Sequence, residues 1–135
     1  MECYYKYTWL VSTYRINTNF KGDDFLYIDE VKINVRYAET DKMGVVYHSN
    51  YLIYFEVGRT NFINKCGISY SQMEEKGIMI PLLESNCKYL QGAKYEDDLI
   101  VKTWIEELSG AKVKFNYIHT IYFSYNYYFV SICIA

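Results

Sequence analysis

The sequence predicts an α+β fold in which a curved antiparallel sheet wraps around one long central helix. Residues 31–37 alternate between apolar and polar side chains, which is typical of a half-buried strand. A long segment after residue 49 carries apolar side chains at helical spacing, and strand-like segments with short turns between them follow later in the chain. Because a single sheet must bury its apolar face, the long helix is predicted to cover it.

The first predicted strand places four apolar side chains on one face of the sheet. The residues between them are polar, so one face is expected to be buried and the other exposed. The four apolar residues are Val31, Ile33, Val35 and Tyr37.

The long helix is predicted to begin at Ser49 or Asn50, either of which can serve as its N-cap, and to end before Gly67. Its apolar side chains cover a wide arc, so it is predicted to be buried on most of its circumference. The residues that form this arc are Tyr51, Leu52, Ile53, Phe55, Gly58, Phe62 and Ile63.

A second, shorter helix is predicted from its capping residues. Ser69 as N-cap and Gln72 three residues later form a capping box, and Ile68 and Met73 are spaced as a hydrophobic staple. Gly77 is expected to end this helix.

Consecutive strands are predicted to complete the sheet without another helix. The first of them contains Pro81 near its start, which favours an edge position or a bulge. The predicted strands cover residues 78–93, 99–107, 111–123 and 127–134.

The composition favours one cytoplasmic domain. The chain has 135 residues, 14 basic and 16 acidic, without the basic patch that nucleic-acid-binding proteins usually show. No segment has the length and hydrophobicity of a membrane span, and the amino terminus lacks the features of a signal peptide. The four cysteines are scattered without a metal or redox motif, so we expect free thiols in a reducing compartment.

The segment ETDKMGVVYHSNY, residues 39–51, carries the candidate chemistry. A turn at Gly44 can bring the Asp41 carboxylate back towards the start of the long helix, where backbone N–H groups and the helix dipole stabilise an oxyanion. A carboxylate that faces a carbonyl held in this way can attack it or activate a water. Taken singly, Asp41 is compatible with a loop turn and His48 with a surface or capping role.

The predicted site suits a thioester better than an amide. It lacks a strong acid for the leaving group, but a thiol has a pKa near about 8.5 and leaves as a thiolate without protonation. The sequence has no GxSxG elbow, no glycine-rich phosphate loop and no metal-ligand spacing. His119 lies on the apolar side of its strand and is interpreted as a core residue.

Two segments carry a resemblance to a known family. RYAETDKMGVVYHSNYLIYFEVGRTNFI and IPLLESNCKYLQGAKYEDDLIVKTWIEEL resemble the 4-hydroxybenzoyl-CoA thioesterase-like branch of the hot-dog-fold acyl-CoA thioesterases. The resemblance covers residues 31–123 and includes a D-x-x-G-x-V-Y-H-x-x-Y pattern between the first strand and the long helix. It implies a hot-dog fold and hydrolysis of an acyl-CoA or an acyl carrier protein thioester.

The same resemblance implies roles for particular residues. Asp41 becomes the catalytic carboxylate, the backbone N–H near His48 polarises the thioester carbonyl, and Gly44, Tyr47 and Tyr51 belong to the substrate-binding site together with His48. The family uses neither metal nor prosthetic group. It builds its active sites across a homodimer interface and commonly assembles as a dimer of dimers.

Glu56 is a second candidate acid, because related hot-dog thioesterases can carry their acid at such a helical position. The alternative for Glu56 is an i,i+3 ion pair with Arg59, which we expect. Arg59, Lys88 and Lys94 are candidates for the phosphates of CoA.

The chain departs from the family pattern at both ends. Residues 1–28 have no counterpart and are expected to form an extra strand or arm, and residues 29–135 are expected to form the thioesterase domain with an atypical carboxyl-terminal strand. Two other functions remain open from the sequence: a hot-dog module that binds acyl thioesters without hydrolysing them, and an aromatic-rich structural or interaction domain.

Overall fold

The computed structural model describes residues 27–109, residues 112–121 and the backbone of residues 127–134. One five-stranded antiparallel sheet has the strand order β1-β3-β4-β5-β2. Two helices lie between the first and second strands, and a short 3-10 turn precedes them. In chain order the elements are β1 (Asp29–Asn34), the 3-10 turn (Tyr37–Glu39), α1 (Asn50–Lys65), α2 (Tyr70–Glu75), β2 (Leu82–Cys87), β3 (Asp98–Ser109), β4 (Lys112–Ile121) and β5 (Tyr127–Ile134).

The core lies between α1 and the face of the sheet formed by β1, β3 and β4. The ring of Phe55 packs on that of Tyr117 with centroids 4.9 Å apart, and Phe62 meets Phe115 at 5.9 Å. Gly58 allows the close approach, because a Cβ at that position would lie 2.5 Å from Thr103 Oγ1. The prediction of one long helix over an antiparallel sheet is therefore confirmed.

The carboxyl-terminal half of α1 is attached to β1 by a buried carboxylate. Asp29 is only 2% exposed and accepts a hydrogen bond from Asn61 Nδ2 at 2.6 Å. Lys65 in the last turn of α1 forms an ion pair with the same carboxylate. These polar contacts hold this end of the helix against the first strand.

Two predictions of burial are wrong. Leu52 and Ile53 on α1, predicted to belong to its buried arc, are 38% and 52% exposed, because α1 packs on β1, β3 and β4 and these side chains lie away from that surface. Tyr37 is 75% exposed, because β1 ends at Asn34 and Tyr37 is the first residue of the 3-10 turn rather than part of the strand.

The capping signals of α2 are confirmed. Ser69 Oγ accepts a hydrogen bond from Gln72 N at 3.2 Å, and Gln72 Oε1 accepts one from Ser69 N at 2.9 Å. Gly77 follows the helix with a φ of +74°, and Gly67 follows α1 with a φ of +89°, both in the conformation that favours glycine.

The strand predicted for residues 78–93 is too long. Only Leu82–Cys87 forms a strand, β2. The chain after β2 leaves the sheet, and Lys94 further along forms an isolated antiparallel β-bridge with Val45. The predicted carboxyl-terminal strand coincides with β5, which pairs with β4 on one side and β2 on the other. The extension predicted for residues 1–28 lies almost wholly outside the described residues.

His119 is buried, as its position in the strand predicts. Its burial makes the free energy of unfolding depend on pH. It is 2% exposed, and burial lowers its pKa to about 4. An unfolded histidine titrates near about 6.5, so between these values the unfolded chain binds more protons than the folded one and stability falls as the pH is lowered. We expect the free energy of unfolding to fall by about 2 kcal/mol from pH 7 to pH 5 through this residue.

Urea unfolding of wild type and His119→Gln at pH 5, 6 and 7 measures this dependence. The variant is expected to show a flatter profile, because its side chain does not titrate. His48→Gln removes an exposed histidine and serves as the matched control, with the wild-type slope expected. Parallel profiles for wild type and His119→Gln would show that the pH dependence has another source.

Candidate active site

The loop before α1 folds into a tight turn that positions Asp41. The N–H of Asp41 donates to the Val45 carbonyl at 2.8 Å, and the N–H of Gly44 donates to the Asp41 carbonyl at 2.9 Å. Gly44 has a φ of +78°, as predicted. Asp41 Oδ1 accepts a hydrogen bond from Met43 N at 2.8 Å, whereas Oδ2 has no donor among the described residues. One carboxylate oxygen is therefore held and the other is available.

The start of α1 presents fewer available N–H groups than expected. The N–H groups of Asn50, Tyr51 and Leu52 donate to carbonyls three residues earlier, at 2.9, 3.4 and 3.2 Å. The N–H groups of His48 and Ser49 have no acceptor within the described part of the chain. These two amides, at the positive end of a 16-residue helix, are the ones left to bind an oxyanion.

A cavity of about 410 Å³ opens at this end of α1. It brings together Asp41, His48 and Tyr51, three of the residues that the sequence predicts for the site. Tyr47 does not line it and instead packs its ring on His48 at 4.3 Å, and Gly44 shapes the turn rather than the wall. The lining residues are Asp41, Met43, Val45, Val46, His48, Tyr51, Tyr89, Leu90, Gln91 and Gly92.

One wall of the cavity comes from the segment after β2, which sequence reasoning assigned to a strand. The Tyr89 hydroxyl donates to the His48 carbonyl at 3.2 Å. Burial and the neighbouring Cys87 raise the pKa of Tyr89 to about 12, so this hydroxyl stays protonated at neutral pH. Gly92 is the sequence feature that could have predicted this wall, since a glycine within a strand-like segment often marks a close approach of two backbones. A Cβ at Gly92 would lie only 2.8 Å from Val45 Cβ.

Tyr51 connects the cavity to the core. Its hydroxyl accepts a hydrogen bond from Ala93 N at 3.0 Å, and its ring lies 5.6 Å from that of Tyr89 and 4.8 Å from that of His119. The side chain is only 2% exposed. An aromatic cluster therefore supports the cavity from the inside.

Glu39 fixes the loop to the helix. Its carboxylate accepts hydrogen bonds from Arg36 N at 2.8 Å, from Arg36 Nε at 2.9 Å and from the Tyr54 hydroxyl at 2.8 Å. Its carbonyl accepts hydrogen bonds from Tyr47 N at 2.9 Å and Asn50 Nδ2 at 2.8 Å. Burial raises the pKa of the Glu39 carboxyl, but the hydrogen bonds from Arg36 and Tyr54 outweigh it and leave the pKa below its ordinary value.

The second candidate acid lies elsewhere. Glu56 is exposed on α1 and does not line the cavity. The expected ion pair between Glu56 and Arg59 is wrong, since these two described residues do not come within ion-pair distance. Arg59 instead lies over the ring of Tyr70, with Cζ 5.8 Å from the ring centroid.

Comparison with known proteins assigns the chain to a family. Residues 35–131 match the family model described as the thioesterase-like superfamily. The chain belongs to the thioesterase-like superfamily. It is 45% identical over 92 residues to the putative acyl-CoA thioesterase YneP of Bacillus subtilis, covering 68% of this chain and 67% of that protein. It is 33% identical over 84 residues to the acyl-CoA thioesterase YbgC of Haemophilus influenzae, covering 62% of each.

Solved thioesterase structures show the same fold. A DHNA-CoA thioesterase from Staphylococcus aureus superposes with a TM-score of 0.74 at 36% identity, covering 79% of this chain and 71% of that one. The predicted hot-dog fold and thioester hydrolase class are thereby confirmed at the level of the family. The chain spans about two thirds of the length of the curated relatives it matches.

Two further findings concern the described residues alone. None of their helices is both long enough and apolar enough to cross a membrane. No three of their histidine, cysteine, aspartate or glutamate side chains are grouped so as to hold a metal ion.

The contacts of Glu39 predict a large effect of a small change. Glu39→Gln removes the charge that Arg36 and Tyr54 bind, and hydrogen bonds to buried charged groups contribute about 1.5–3 kcal/mol. We expect a loss of about 2 kcal/mol in the free energy of unfolding at pH 7, measured by urea denaturation. Glu30→Gln, which breaks the exposed pair with Lys102, is the matched control and should cost under about 1 kcal/mol. Equal losses in the two variants would contradict this role of Glu39.

Proposed function

We propose that this protein hydrolyses an acyl-CoA thioester to a free acid and CoA. The proposal is supported by the cavity that Asp41 and His48 line together, by the Asp41 carboxylate oxygen that has no donor among the described residues, and by the unpaired N–H groups of His48 and the neighbouring Ser49. The relatives named acyl-CoA thioesterases support the choice of substrate. An acyl carrier protein thioester has the same reacting group and is the alternative form of the substrate.

The proposed mechanism uses the two sides of the cavity in different ways. The N–H groups of His48 and Ser49 hold the thioester oxygen and stabilise the negative charge that develops on it. Asp41 acts on the carbonyl carbon, either as a nucleophile that forms a mixed anhydride or as a base that activates a water. The C–S bond then breaks, the thiolate leaves and takes a proton from solvent, and water supplies the second oxygen of the acid.

The role of Asp41 is tested by thiol release from a panel of short, long and aromatic acyl-CoAs. Asp41→Asn keeps the hydrogen bond to Met43 N but removes the charge, so we expect kcat to fall about 10²–10⁴-fold. Glu56→Gln should change kcat little, because Glu56 lies outside the cavity. Glu75→Gln, a charge loss on α2, is the matched control, and circular dichroism confirms that each variant is folded.

The other outcomes of this assay identify other functions. Full activity in Asp41→Asn with loss in Glu56→Gln would move the chemistry to Glu56. Acyl-CoA binding without turnover by the folded wild type would indicate a binding module. Neither binding nor turnover would leave a structural or interaction domain.

We propose that the protein forms a homodimer with its active sites across the interface, and that dimers pair further. Leu52, Ile53 and Val57 expose one apolar surface on α1, and Leu82 and Leu83 expose another on β2. Among the described strands β2 lies at the edge of the sheet, and its outer backbone groups have no partner strand there. Apolar surfaces and open sheet edges of this kind favour association with another chain.

The dimer is tested by light scattering coupled to size-exclusion chromatography. Wild type is expected at about twice the 16.1 kDa of one chain, or at a multiple of that. Ile53→Lys and Leu83→Lys place a charge in the two apolar surfaces and should lower the mass towards one chain. Tyr37→Lys replaces an exposed aromatic residue elsewhere and should leave the mass unchanged. A wild-type mass of 16.1 kDa would overturn the proposal.

A cytoplasmic location is part of the same proposal. Cys66 and Cys87 are free thiols, which is typical of proteins in a reducing compartment.

A further inference from the structure

Tyr89 lies where the wall after β2 meets the start of α1. It lines the cavity, and its hydroxyl donates a hydrogen bond to the His48 carbonyl at 3.2 Å. The N–H of Tyr51 donates to the same carbonyl at 3.4 Å, so the hydroxyl is the nearer donor. The thiol of Cys87 lies beside this hydroxyl, but a thiol sulfur is a weak acceptor and the carbonyl is the stronger one. A side chain 41 residues downstream therefore binds the peptide group that precedes the helix.

That peptide group has the His48 carbonyl at one end and the Ser49 N–H at the other. The N–H of Ser49 has no acceptor within the described part of the chain and is one of the two amides left to bind an oxyanion. Because the peptide C–N bond has partial double-bond character, a hydrogen bond to the oxygen draws electron density from the nitrogen and strengthens the N–H as a donor. Since the peptide is planar, the same bond also restrains the direction of the N–H.

The contacts around Tyr89 hold its hydroxyl at this carbonyl. Val46 N donates to the Ala93 carbonyl at 2.7 Å, and Ala93 N donates to the Tyr51 hydroxyl at 3.0 Å, which fixes the wall to the helix. The ring of Tyr89 lies 5.6 Å from that of Tyr51 and 6.1 Å from that of His48. A phenylalanine at this position keeps these ring contacts, so it separates the hydrogen bond from the packing.

We propose that Tyr89 is a positioning residue for the oxyanion-binding amide of Ser49 and acts through the His48 carbonyl. The thioester oxygen gains negative charge as its carbon is attacked, so a stronger and better directed N–H stabilises the transition state more than the ground state. This catalytic consequence rests on the proposed function. The polarisation of the Ser49 amide is a property of the free protein and is measured without substrate.

The polarisation is tested first by nitrogen NMR of the isotope-labelled, ligand-free chain. In Tyr89→Phe the Ser49 nitrogen resonance should move upfield, because the nitrogen loses positive character when the hydrogen bond to the carbonyl is removed. Tyr95→Phe is the matched control, since Tyr95 is 49% exposed against 47% for Tyr89 and does not line the cavity. It should leave this resonance in place. An unchanged Ser49 resonance in folded Tyr89→Phe would overturn the proposal.

The catalytic consequence is tested by thiol release from the panel of acyl-CoAs. Tyr89→Phe should lower kcat about tenfold and leave KM within about twofold, a smaller loss than the about 10²–10³-fold that removal of an oxyanion donor causes. A side chain that only binds the acyl group would instead raise KM and spare kcat. Tyr95→Phe should keep the wild-type kcat and KM. A rise in KM alone, or no change in either constant, would contradict positioning by Tyr89.

Infrared spectroscopy separates this inference from the proposed hydrolysis. Benzoyl-CoA labelled at its carbonyl is bound to Asp41→Asn, in which turnover is expected to be slow. The carbonyl band should lie at a lower frequency in Asp41→Asn than in the double variant with Tyr89→Phe, because the stronger amide polarises the thioester more. Equal band positions would overturn the proposal even if Asp41 proves catalytic. If the wild type turns over no acyl-CoA, the proposed hydrolysis fails, and the Ser49 resonance still decides whether Tyr89 polarises the amide.

Discussion

The buried carboxylate of Glu39 fixes the loop before α1 to the helix itself, and the geometry of the cavity depends on that attachment. The side chain binds Arg36 on one side and the Tyr54 hydroxyl on the other, while its carbonyl receives Tyr47 N and Asn50 Nδ2. Asp41 follows two residues later and the helix start nine residues after that. Because Glu39 precedes Asp41 by two residues and its carbonyl binds Tyr47 and Asn50 at the helix start, the segment between them is held at both ends.

The helix α1 serves the cavity, the core and the surface with different parts of its length. Its first turn places Tyr51 at the cavity, and Gly58 allows its middle to approach β3. Arg59 packs over the ring of Tyr70 in α2. The exposed apolar side chains of α1 face away from the sheet. A rigid element that carries all these groups keeps their spacing constant.

Local patterns predicted those parts of the fold that local physics determines. Alternation predicted β3 and β4, helical spacing predicted α1, and the capping box of Ser69 and Gln72 predicted the start of α2. Asp41, His48 and Tyr51 were predicted because one short motif contains them all. The wall from Tyr89 to Gly92 was missed, since its contact with His48 joins residues far apart in the sequence. The exposed face of α1 was missed for the same reason, because only the sheet decides which side of an apolar helix is covered.

β2 has one strand neighbour in the described sheet, and that neighbour is β5, far downstream. The segment that leaves β2 forms a wall of the cavity. During synthesis, the amino-terminal elements, including α1 and the Asp41 turn, emerge well before β5. A nascent chain that stops short of β5 therefore carries both the loop before α1 and the wall segment, while β2 still lacks its strand neighbour in the described sheet.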